Sequence, residues 1–313
     1  MLNTKLKKFG AIAGLSLSLI VAGCGQDDAE NDTTEADYSN DNQTEETANV
    51  GEEIDYTITG IEPGAGITQA TENAIEEYEN FKGWNQETAS TAAMLTALGE
   101  AIDNEEPVIV AGWSPHYMFA KYDLKYLEDP KEVYGGVEII KTITRKGLKE
   151  DMPEAYEVLD RFHWEPADME QVMLDAQEMD FEEAAQKWVN NNEDKVAEWT
   201  EGVDSVDGTS IELVQTPWDT ERSSGYVAKN VLETLGYDAE VTTVSPSVAF
   251  KAIAQGDGDA SLAPWMPATH GDFYDKYEGE FDDLGENLKG AKIGLVVPEY
   301  MDIDSIEDLK AKE

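Results

Sequence analysis

The chain has one cysteine, three histidines, and only 22 lysines and arginines against 67 aspartates and glutamates. A single thiol excludes an intramolecular disulfide. The net charge of -45 and the pI near 4.1 exclude a surface for nucleic acid or anionic lipid, because affinity for phosphate needs clustered basic side chains. His116, His163 and His270 are too scattered for a zinc site, and neither G-x-S-x-G nor H-E-x-x-H occurs. No metal, cofactor or catalytic residue is therefore expected, which speaks against an exported hydrolase or metalloenzyme.

What is present begins with a leader. Lys5, Lys7 and Lys8 precede the short apolar run "AIAGLSLSLIVAG", so residues 1–23 read as a secretory signal, too short and wrongly flanked for a stable membrane span. "VAGC" followed by Gly25 resembles the lipobox of bacterial lipoproteins, in which the cysteine becomes a lipidated N-terminus. Cys24 is the expected anchor. Residues 24–53 hold almost no apolar side chain and no Lys or Arg, so they should form a disordered, charge-extended tether outside the cytoplasmic membrane.

From residue 54 the chain is long enough, at 41% hydrophobic content overall, for two domains. "IDYTITGI" reads as a strand and "ITQATENAIEEYENF" as a helix with Ile67, Ala70, Ala74, Ile75 and Tyr78 on one face. "STAAMLTALGEAIDNEE" is a second helix, and "PVIVAGW" a strand ending at Trp113. The second half repeats the grammar. "SIELVQTPW" is a strand ending at Trp218, "GYVAKNVLETLG" a helix stopped by Gly236, "AEVTTVS" a strand, "PSVAFKAIAQGDG" a helix, and "ASLAPW" a strand ending at Trp265. Such alternation predicts an α/β fold of two lobes with mainly parallel sheets. The acidic helical stretch between the copies should pack outside a lobe.

One corner is built twice. Trp113 and Pro115 are followed by His116, and Trp265 and Pro267 by His270, in a chain with seven tryptophans. Ligands of open α/β sheets bind beyond the carboxyl ends of the strands, so Trp113, Trp218 and Trp265 should face one cleft. Their electron-rich faces suit a cation, above all a quaternary ammonium with no N–H to donate. Trp84, Trp164, Trp188 and Trp199 read as core. The glycines of "EPGAGI" would let an anion approach the backbone N–H groups at Gly66 and Ile67, where a helix begins.

"TGIEPGAGI", "AGWSPHYMFAKYDLKYLEDP", "TITRKGLKEDMPEAY", "PWDTE", "PWMPATH" and "GLVVPEYM" together resemble the glycine betaine-binding lipoproteins of ATP-binding-cassette osmoprotectant importers in Gram-positive bacteria. The resemblance covers residues 57–309, in the permuted order that places the "GIEPGAGI" half first. It implies a two-lobed periplasmic-binding-protein fold of type II with the ligand cleft between the lobes. It further implies a trimethylammonium cage of Trp113, Trp218 and Trp265, and a carboxylate pocket of Gly66, Ile67 and His270. Tyr117 departs from the family, which often carries Trp there, and His116 has no assigned contact. Residues 54–142 with 301–313 should form one lobe and 143–300 the other, with the C-terminal tail returning to the first.

The expected function is that of a monomeric, lipid-anchored receptor that captures glycine betaine and delivers it to a membrane permease and its ATPase. Choline, carnitine and proline betaine present the same methylated cation and stand as alternative ligands. An acidic surface adhesin without a small ligand is the rival of another class.

Overall fold

The computed structural model describes residues 49–313. The signal segment, Cys24 and the tether up to residue 48 lie outside the described residues. The fold starts earlier than expected, with a short helix, Val50–Glu53, capped by the Asn49 side chain. The reason is local packing: Gly51 is buried so closely against Tyr56 and Trp84 that a Cβ there would lie 2.7 Å from the Tyr56 ring.

Ten strands follow: β1 (Thr57–Thr59), β2 (Asn85–Glu87), β3 (Val110–Ser114), β4 (Leu124–Tyr126), β5 (Glu138–Arg145), β6 (Ser210–Gln215), β7 (Asp238–Thr243), β8 (Ala260–Ser261), β9 (Trp265–Met266) and β10 (Phe281–Pro298). They form two α/β lobes. In the first, β1 pairs in parallel with β2 and β3, and the end of β10 runs antiparallel to β3 and β4. In the second, β6 pairs in parallel with β7 and β8, and β5 runs antiparallel to β8, β9 and the start of β10.

The 18-residue β10 is therefore shared. It pairs with β5 as far as Ala291 and with β3 from Lys292. Its register shifts beside Gly285 and Gly290, both at positive φ, where glycine lets an extra residue bulge and bend the strand. The chain enters the second lobe through β5, which pairs with β10 from Glu138. The C-terminal segment lies on the first lobe, where the Trp84 indole donates to Lys310 O at 2.8 Å and Lys312 N–H to Lys82 O at 2.9 Å.

The helices that matter for the site are Gly66–Glu77, Thr91–Asp103 and Asp219–Thr234. The first buries Ile67, Thr68, Thr71 and Ala74, the second Met94, Leu98 and Ala101. The acidic stretch folds into helices between Pro153 and Thr200 around an aromatic core. There Trp188 stacks on Trp199 at 5.9 Å and meets Trp164 edge-on at 5.6 Å.

Candidate ligand-binding site

Trp113 lies one residue before the end of β3, so its ring leaves the sheet at the carboxyl edge. Trp218 follows β6 by three residues and is the N-cap of the helix Asp219–Thr234. Trp265 differs from expectation: "ASLAPW" does not run as one strand, because Pro264 separates two two-residue pieces, and Trp265 opens β9 against β5. Ser114–Pro115 and Met266–Pro267 are both cis, so the repeated corner is repeated in backbone geometry as well.

One cavity between the lobes is lined by Gly66, Ile67, Trp113, Trp218, Trp265 and His270, all six of the residues singled out from the sequence, together with Thr220 and Glu221. The first lobe supplies Gly66, Ile67 and Trp113, and the second supplies the rest. The cavity is small, about 30 Å3. At one wall, Gly66 is pressed against Thr269 of the other lobe, where a Cβ would lie 2.3 Å from the Thr269 carbonyl oxygen. The first helical bond after Ala65 is Gln69 N–H to Ala65 O, and Ala65 caps no N–H with its side chain. The N–H groups of Gly66 and Ile67 therefore precede the helical ladder and face the cavity end of the helix.

Two of the three tryptophans donate to an acid, and the third packs on a histidine that lies near one. Trp265 Nε1–H donates to Glu221 Oε1 at 2.7 Å, and Trp218 Nε1–H to Glu62 Oε2 at 3.2 Å. Trp113 packs edge-on to His116 at 4.7 Å, and His116 Nε2 lies 3.9 Å from Asp219 Oδ2. Burial pushes the Glu221 carboxyl up to about 7, against the hydrogen bonds from Thr220 and Trp265. Burial also raises Asp219, opposed by Arg222. For Glu62 burial is again the largest influence, yet the hydrogen bonds from Thr91 and Trp218 outweigh it and hold the group below its ordinary value. The three indoles thus line the cavity with electron-rich faces, which attract a cation, while burial disfavours the charged forms of Glu221 and Asp219 behind them.

The two histidines of the corners are buried and used alike. His116 Nδ1 accepts from Met118 N–H at 3.2 Å, and His270 Nδ1 from Trp265 N–H at 3.0 Å. An accepting Nδ1 fixes the neutral tautomer with the proton on Nε2. Burial pushes His116 down to about 3 and His270 down to about 4, the Ala263 carbonyl acting in the opposite sense on the latter. His270 Nε2 is buried with no hydrogen-bond partner among the described residues, and the residue lines the cavity.

Residues 29–191 and 209–313 match the model of the substrate binding domain of ABC-type glycine betaine transport systems. The chain belongs to this family. It is 47% identical over 312 residues to the glycine betaine/carnitine transport binding protein GbuC of Listeria monocytogenes, covering 98% of this chain and 100% of that one. Among solved structures, it is 49% identical to lactococcal OpuAC in its closed, glycine betaine-bound conformation, over 52% of this chain, with a TM-score of 0.47. That match spans 64% of the lactococcal chain. A ProX protein from Borrelia burgdorferi is 32% identical over 49% of this chain and 58% of that one, with a TM-score of 0.46.

Sequence reasoning passed over the acids of the site. Glu62 stands inside "GIEPGAGI" and Asp219 and Glu221 inside "PWDTE", but among 67 acidic residues no signal separates them. Glu138 was likewise missed. It is buried and accepts Ala268 N–H at 2.7 Å, Thr269 N–H at 2.9 Å and the Thr269 hydroxyl, so it holds the loop that carries His270.

Proposed function

We propose that this protein captures glycine betaine, or a close quaternary-ammonium relative, and hands it to a membrane permease driven by its ATPase, without catalysing a reaction. The observation that carries this reading is the convergence of Trp113, Trp218, Trp265, Gly66, Ile67 and His270 on one cavity between two lobes. The three indole faces take the trimethylammonium group. The Gly66 and Ile67 N–H groups and His270 Nε2–H take the carboxylate, as a helix N-terminus and a neutral imidazole donor can.

Family membership places the chain in an ABC transport system, and the relative from Listeria carries both glycine betaine and carnitine in its name. Carnitine has the same cation and a carboxylate further away, and it stands as an alternative ligand. We place the two lobe crossings just before β5, close to the segment "IKTITRK", and within β10, ahead of the segment "VVPEYM". Lipidation at Cys24 holds the receptor on the outer face of the membrane as a monomer. None of the helices among the described residues is long and apolar enough to cross a membrane.

Isothermal titration with glycine betaine, carnitine, proline betaine and choline tests the reading. Glycine betaine should bind saturably and quench or shift tryptophan fluorescence. Choline should bind more weakly, since it leaves Gly66, Ile67 and His270 without a carboxylate. Equal affinities would remove the carboxylate pocket. Absence of heat and of a fluorescence change with all four would leave the adhesin reading standing.

A further inference from the structure

The acid behind Trp218 comes from the other lobe. Glu62 follows β1 in the first lobe, and Trp218 follows β6 in the second. Glu62 is itself fixed before it meets Trp218: its Oε1 accepts Thr91 N–H at 2.9 Å and its Oε2 the Thr91 hydroxyl at 2.8 Å, at the start of the helix Thr91–Asp103. The remaining capacity of Oε2 accepts the Trp218 indole N–H. This hydrogen bond exists only while the lobes are together.

Its place gives it a second consequence. Trp218 lines the inner cavity on one side and, on the other, a much larger groove shared with Glu62, Thr91, Tyr117, Asp219 and Arg222. The indole is thus the partition between the cage and that groove. When the ring swings away from Glu62, the cage opens towards solvent on that side.

We infer that Glu62 is a positioning residue that latches the Trp218 wall of the cage across the cleft, so that it slows ligand release without touching the ligand. The inference rests on the proposed ligand site. Ligand first meets one open lobe, before the latch can form, so the latch should act on dissociation and leave association nearly unchanged. A hydrogen bond to a charged group contributes enough for its loss to speed release roughly tenfold to a hundredfold.

The test is Glu62→Gln. If the amide oxygen keeps Thr91 N–H, the NH2 group faces the Trp218 N–H, donor against donor, so the helix cap survives and the latch does not. Stopped-flow tryptophan fluorescence with glycine betaine should show release at least about tenfold faster and association within about threefold of the parent. The melting point of the ligand-free protein should stay put. Trp218→Phe keeps an aromatic face and loses the N–H, so adding Glu62→Gln to it should change release no further. Equal release rates in parent and Glu62→Gln, additive effects in the double variant, or a ligand-free melting point lowered by several degrees would each overturn the latch while leaving the ligand site intact. A parent that fails to bind glycine betaine would overturn both.

Discussion

Trp265 and His270 hold one another by two hydrogen bonds: Trp265 N–H donates to His270 Nδ1, and His270 N–H donates to Trp265 O, both at 3.0 Å. The pair closes the second corner, so that two residues lining the cavity, Trp265 and His270, are placed by a single turn of chain.

His270→Asn separates those roles. The Asn side-chain oxygen can take the place of Nδ1 and accept Trp265 N–H, but nothing replaces the Nε2 donor. Glycine betaine should bind roughly tenfold to a hundredfold more weakly, the scale of a lost hydrogen bond to a charged group, with the fold kept. Acid sensitivity should also fall. His270 sits near 4 in the fold against an ordinary 6.5, so the unfolded chain binds more protons between those values. The contribution of the neutral ring is full above about 6.5 and is lost as pH falls through about 4. Glu221, raised to about 7, acts in the opposite sense, favouring the fold at low pH. Comparing the variant with the parent cancels it. Melting curves at pH 7 and pH 5 should show the smaller drop in His270→Asn, and equal drops would contradict the buried neutral imidazole.

Gly66→Ala should block closure without unfolding the protein. The added Cβ would meet the Thr269 carbonyl oxygen at 2.3 Å, far inside van der Waals contact, and that oxygen belongs to the other lobe. In the separated lobes the same alanine meets no such obstacle and suits a helix start better than glycine. Circular dichroism and the ligand-free melting point should match the parent. Titration with glycine betaine should show a loss of at least about tenfold, and unchanged affinity would mean that the lobes close in some other register.

Alanine at Trp113, Trp218 or Trp265 should each weaken binding roughly thirtyfold, since a desolvated cation-π contact contributes about 2 kcal/mol. Trp188→Ala should do the reverse. Its ring is buried between Trp164 and Trp199, away from the cavity, so its removal should cost about 3 to 5 kcal/mol of stability and spare affinity in whatever folds. Paired melting and titration measurements separate the two classes. A folded Trp188→Ala that no longer binds, beside a Trp265→Ala that does, would reverse the assignment.

Tryptophans were legible because they are few and sit after apolar runs, and period-3.6 patterns located the helix Thr91–Asp103 and, from Gly225 on, the helix Asp219–Thr234. β5 and β10 were not legible as strands. β10 carries "DDLGENLKG" before its apolar end, because one half pairs beside the crossing with bulges and the other half is buried, so no single periodicity runs through it. The acids of the site were hidden for a different reason. Burial, not residue type, separates Glu221 or Glu138 from the solvated acids around them, and burial arises only from tertiary packing, which brings Trp265 to Glu221 and Thr269 to Glu138.

The charge of -45 bears on stability more than on binding. Like charges at this density repel one another in the compact state, and added salt shortens the screening length from about 10 Å at 0.1 M to about 3 Å at 1 M. Folding should therefore become more favourable as salt rises. Exposed ion pairs such as Lys289–Glu286 weaken at the same time, but surface pairs contribute little, and the excess of acids leaves repulsion the larger effect. Binding should behave differently, because glycine betaine carries no net charge and its site lies in a cavity walled by buried side chains. Melting curves and glycine betaine titrations at 0.1 M and 2 M sodium chloride, on a lipid-free chain starting at Gly25, should show a rising melting point and an affinity within about threefold. A melting point flat with salt would mean that the acidic surface is already neutralised by other means. A steep loss of affinity would mean that sodium competes for the cage through Glu62, Asp219 and Glu221, so that the acids behind the rings, and not the rings alone, define the cation site.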